Sequence, residues 1–116
     1  MITEEICTYE VAKLAKEKGF PAKEIRSWHY EYDGYPTKEI IDERQYPNIS
    51  QSLLQRWLRE ENNIDISIYP IFINDTKTYT CDIYAPQLNK PRKSNYFDTY
   101  EQALEDALKY SLENLV

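Results

Sequence analysis

Apolar residues recur along this chain with two periods, one near 3.6 and one of 2, and the switches between them outline the fold. From Thr8 to Lys18 the period is helical: Val11, Leu14 and Ala15 share one face, with Glu10, Lys13, Lys16 and Glu17 opposite. Thr8 suits the N-cap, Gly19 the position just past the end, and Pro21 stops continuation. At 25–32 the period falls to 2. Trp28, Tyr30 and Tyr32 alternate with polar residues as in a half-buried strand, which Asp33-Gly34 ends. The stretch 35–49, with Pro36 and Pro47, shows neither period and reads as irregular, with room for a helical turn at 38–43. A second helix runs from about Ser50 to Glu61 on the stripe Leu53, Leu54, Trp57 and Leu58, and Asn62-Asn63 can end it because asparagine tolerates the left-handed region.

Residues 64–85 give the sharpest pattern. Ile64, Ile66 and Ile68 alternate with Asp65, Ser67 and Tyr69; Tyr79, Cys81, Ile83 and Ala85 alternate with Thr80, Asp82 and Tyr84. Asn74 to Lys77 is turn chemistry, so the two runs form a hairpin. With all four residues in the loop, Ile73 faces Thr78, Ile68 faces Ile83, Ile66 faces Ala85, Pro70 faces Cys81 and Phe72 faces Tyr79. This register gathers the apolar set on one side, and a one-residue slip would scatter it. Pro70 has no N–H to pair, which makes 64–73 a sheet edge. After a loop at 86–95 a last helix spans about Thr99 to Leu115, opened by a capping box of Thr99 and Gln102. The order helix, strand, helix, strand, strand, helix predicts an α+β fold, a small antiparallel sheet with helices packed on one face. At 116 residues the chain is one domain, 1–116.

Composition narrows the function. Fourteen Lys and Arg against 20 Asp and Glu give a net charge of −6, which opposes non-specific attraction to nucleic acid or anionic lipid. Two glycines leave no glycine-rich phosphate loop. The N-terminus is acidic with no apolar run, and no long apolar stretch follows, so a cytoplasmic location and no membrane association are expected. In that compartment Cys7 and Cys81 are expected as buried free thiols.

Three stretches carry a resemblance: Thr8 to Phe20, containing Val11-Ala12-Lys13-Leu14-Ala15; Ser50 to Glu60, containing Leu53-Leu54-Gln55-Arg56-Trp57-Leu58; and Asp98 to Glu105. In this order they resemble a family of small uncharacterised bacterial, phage and mobile-element proteins of unknown function. The resemblance implies that setting and no activity.

The candidate chemistry is sparse. The one histidine, His29, lies in a strand with no nucleophile in local spacing. Glu39, Asp42 and Glu43 beside Lys38 and Arg44 read as a solvated acidic cluster, not an acid–base pair. No Cys-x-x-Cys motif, histidine pair or calcium loop is present, so no catalytic residue, metal or cofactor is expected and the chain reads as a non-enzyme. What remains is binding. On the outer side of the hairpin Tyr69, Ile71, Ile73 and Tyr84 are too apolar for a plain solvated face; either another element of the chain covers them or a protein partner does, a second copy included. The first reading is therefore a protein-interaction module. An alternative is a weak single-stranded nucleic-acid site on the loop 89–95, with Lys90, Arg92 and Lys93 among tyrosines. Another is an acidic mimic of nucleic acid, from Asp98, Glu101, Glu105, Asp106 and Glu113 against Lys109 alone in the last helix.

Overall fold

The computed structural model describes residues 5–21, 28–30 and 45–116, with backbone only at 28–30 and 45–47. The elements follow in the order α1 (Tyr9–Glu17), β1 (Trp28–Tyr30), β2 (Gln45–Pro47), α2 (Gln51–Asn62), β3 (Asp65–Ile73), β4 (Thr76–Tyr84), β5 (Arg92–Lys93) and α3 (Tyr100–Asn114). The fold is α+β, as the periodicity predicts.

The helix ends form where the sequence places them. The Thr8 side chain accepts the Val11 N–H, and Gly19, at φ 97°, closes α1. Its geometry lets Phe20 N–H reach Ala15 O at 2.9 Å and Gly19 N–H reach Lys16 O at 3.2 Å, the paired bonds of a Schellman motif. Ser50 caps α2 through the Leu53 N–H, and Asn63 ends it in the left-handed region at φ 57°. Both halves of the Thr99–Gln102 capping box are made.

The sheets differ from expectation in three ways. β1 does not join the hairpin: it pairs antiparallel with β2, so 45–47 is a strand where irregular chain is expected. The loop 86–95 contributes β5, giving a three-stranded antiparallel sheet in the order β3-β4-β5. The hairpin register also needs correction: Ile66 faces Ile83, Ile68 faces Cys81, Pro70 faces Tyr79, Phe72 faces Lys77 and Ile73 faces Thr76. The loop is therefore two residues, Asn74 and Asp75, both at positive φ (50° and 63°). A two-residue loop with both φ positive matches the right-handed twist of its strands, and a four-residue loop does so less well. The correction moves each partner by two positions, so side-chain parity survives and the same residues share each face. Because Asp75 holds a positive φ, Asp75→Gly is expected to stabilise the chain by about 0.5–1 kcal/mol, read as a higher urea midpoint.

The helical turn expected at 38–43, the ends of the strand expected at 25–32, and the cluster Glu39, Asp42 and Glu43 lie outside the described residues.

The core forms where α2 and α3 meet the inner face of the hairpin. Leu54, Leu58, Ile64, Ile83, Leu108 and Leu112 are fully buried there, with Ile66, Ile68 and Ala85 packed against them. α1 packs on α3 and β2, adding Val11 and Ala15. The chain before α1 is tied to the start of α2 by Cys7 N–H to Ile49 O (2.8 Å) and Gln51 N–H to Glu5 O (2.9 Å). No helix among the described residues is long and apolar enough to cross a membrane.

Candidate interaction surface

On the outer face of the hairpin, Tyr69, Ile71 and Ile73 follow one another at strand period 2, opposite Thr80, Thr78 and Thr76. Tyr84 lies opposite Asp65 at the other end, about 13 Å along β4 from Thr80 at the usual rise per residue. None of the four belongs to the core or packs against it. The structure brings three of them into one row and leaves Tyr84 apart.

Polar contacts occupy the middle of this face. The Tyr69 hydroxyl donates to Asp82 Oδ1 at 3.3 Å, and the Lys93 ammonium, hydrogen-bonded to Tyr69 and near Asp82, holds its proton to higher pH than a free lysine. Thr80 is buried, with its hydroxyl 3.2 Å from Ser94 O. Tyr69 and Ile71 are half-buried, while Ile73 is 41% and Tyr84 44% exposed.

The most exposed large apolar residue near the tip, Phe72, is one that periodicity assigns to the inner face. It does point to that side, but it is 69% exposed. The reason is length. A nine-residue strand spans about 30 Å and a 15-residue helix about 22 Å. α3 starts at Tyr100, whose ring meets Tyr79 edge-on at 6.1 Å between centroids, and Phe72 and Lys77 lie further out along the hairpin. Comparing strand and helix lengths in the sequence is the signal that finds Phe72.

The basic loop does not form a single patch. As β5, Arg92 and Lys93 alternate across the sheet: Arg92 is opposite Ile83 and stacks 3.6 Å from the centre of the Tyr110 ring on α3, whereas Lys93 is opposite Asp82 and serves the outer face. Lys90 is exposed beside Leu88, Pro91 and Arg92 in a shallow hollow.

The acidic face of α3 is partly internal wiring. Glu105 accepts the Thr8 N–H (3.1 Å), the Thr8 hydroxyl (2.9 Å) and the Gln51 side-chain amide (2.9 Å). Lys109 pairs with Glu10 at 2.9 Å. Glu101, Asp106 and Glu113 face solvent.

Both thiols are free and buried, and burial pushes each above the ordinary thiol range, so neither is an activated nucleophile. Among the described residues no group of three or more His, Cys, Asp or Glu is placed to hold a metal ion. His29 sits in β1 with its backbone opposite Tyr46. Comparison with family models, curated proteins and solved structures found no match.

Proposed function

We propose that this chain is a non-catalytic protein-interaction module that binds through the outer face and tip of the β3–β4 hairpin. The observation that carries the reading is the pair of exposed apolar side chains at the hairpin end, Phe72 on one face and Ile73 on the other. An apolar surface that flanks both sides of a projecting ribbon is costly to leave in water and is the kind of surface that partners cover. Tyr69 and Ile71 extend it inward. The setting is the bacterial, phage or mobile-element one that the resemblance implies. The nucleic-acid alternative ranks lower because β5 sends two of its three cations to opposite faces.

A photo-reactive residue placed at Ile73 is expected to form covalent adducts with protein in the source cell. The same residue at Glu113, on the solvent side of α3, should not. Equal labelling from both positions, or none from Ile73, would remove the hairpin as the binding surface.

A further inference from the structure

We infer that the hollow between residues 88–93 and α3 binds a phosphate monoester with an apolar body, its phosphate held by Lys90 and Arg92. This site uses neither the hairpin tip nor the outer face, so it stands or falls apart from the interaction reading above.

Charge along the chain marks the place. Residues 86–97 carry Lys90, Arg92 and Lys93 and no acid, on a chain of net −6. The hollow there measures about 590 Å³, and no carboxylate lines it. That volume lies within the roughly 300–1,000 Å³ of small-ligand sites. Leu88, Pro91 and Tyr110 supply its apolar wall.

Arg92 is held in place before any ligand arrives. Its position in β5, opposite Ile83, turns it toward α3, and its guanidinium carbon lies 3.6 Å from the centre of the Tyr110 ring. Stacking uses the face of the guanidinium and leaves its fork of N–H groups for another acceptor. Among the described residues, the side chains of Asn89, Lys90 and Arg92 find neither a hydrogen-bond acceptor nor an ion-pair partner. Lys93 differs, because its ammonium is engaged by Tyr69 on the opposite face of the sheet. Two unpaired cations share the hollow, not three.

Two cations select a dianion. A phosphate monoester carries roughly −1.5 to −2 charges at pH 7, whereas a carboxylate carries one. The arginine fork takes two phosphate oxygens, the lysine adds a point charge, and the Asn89 amide offers a further donor. A polynucleotide fits less well: each of its phosphates bears one charge, and a second phosphate would need Lys93, which faces away. The hollow is open to water and its cations are exposed, so the affinity is modest, with Kd on the order of 1 mM.

Titration of the native chain with phenyl phosphate to about 10 mM, followed by two-dimensional NMR, tests this over a range that saturates such a site. Saturable shifts are expected at Asn89, Lys90, Arg92 and Tyr110. Inorganic phosphate should move the same signals more weakly, and benzoate should bind at least about fivefold more weakly than the ester. Lys90→Ala, at an exposed position, and Arg92→Lys, which keeps the charge and loses the fork, should each weaken binding about threefold to tenfold. Lys77→Ala, at the hairpin tip, should leave it unchanged. Affinity for the ester should fall about threefold between about pH 7.5 and 5.5, as the phosphate gains its second proton while lysine and arginine keep theirs. No saturation, or binding indifferent to Lys90→Ala and Arg92→Lys, overturns the site. Equal affinity for benzoate overturns the choice of a dianion. A single-stranded oligothymidylate that binds more tightly than the ester, and is weakened by Lys93→Ala as well, would make the loop a nucleic-acid surface and overturn the small-ligand assignment.

Discussion

Glu105→Ala is expected to lower the stability of the chain by about 2–4 kcal/mol, although Glu105 touches no part of the hairpin tip. Its carboxylate joins three elements: it accepts from Thr8, the cap of α1, and from Gln51, the first residue of α2, while standing on α3. Gln51 is 4% exposed, and its amide splits its two N–H groups between Glu101 O and Glu105 Oε1. Removing the carboxylate leaves one buried donor without an acceptor, a loss of about 1–3 kcal/mol. The bonds to Thr8 add a smaller share, because water can replace them at an exposed residue. Glu105→Gln should fall between, since one amide oxygen cannot serve the Gln51 donor and the two Thr8 donors as the two carboxylate oxygens do. Urea denaturation followed by tryptophan fluorescence gives the ranking, with Trp57 held edge-on to Phe20 as a native-state probe. An unchanged midpoint for Glu105→Ala would show that the carboxylate does not join the helices.

This hub shows where the sequence stops being readable. Caps are local, so Thr8, Gly19, Asn63 and Thr99 announce themselves within five residues of the groups they satisfy. The hairpin faces are equally local, because parity survives any even error in register. Loop length is less so. Asn74, Asp75, Thr76 and Lys77 all suit turns, and strand twist, not composition, decides for two. β2 and β5 are three and two residues long, too short to show a period, and exist because a neighbouring strand offers a ladder. Missing β5 hides the parting of Arg92 and Lys93. Glu105 is beyond reach for another reason: its partners lie 97 and 54 positions away, so along the chain it is one more acid on an acidic helix. The exposure of Phe72 depends on where α3 begins beside the hairpin, a relation between elements that no single segment contains.

Alkaline pH is expected to destabilise the chain steeply, and the sign follows from the thiols. Burial is the main cause that raises Cys7, with the Glu105 charge next; for Cys81 burial again leads, opposed by the hydrogen bond from Ser94. In the unfolded chain each thiol loses its proton near pH 8.5, about the ordinary value. Between that pH and the higher folded value, the unfolded state binds fewer protons than the native state, so stability falls as pH rises. Below the unfolded value the contribution is complete and flat. The limiting slope is about 1.4 kcal/mol per pH unit for each thiol, or about 2.7 for the pair. The raised Lys93 and Lys109 act in the same direction, but only from about pH 10.4, where a free lysine titrates. Urea midpoints at intervals from pH 7.5 to about 10 should therefore drop progressively from near the thiol range. Cys7→Ala and Cys81→Ala should each start less stable, because a buried side chain is shortened, yet lose less per pH unit; combined, they should leave a nearly level profile up to the lysine range. In parallel, neither native thiol should react with a disulfide reagent at pH 8, and both should react in urea. A double variant that declines as steeply as the native chain would place the alkaline sensitivity elsewhere, and a native thiol that reacts at once would show that the core around Cys7 or Cys81 is open to water.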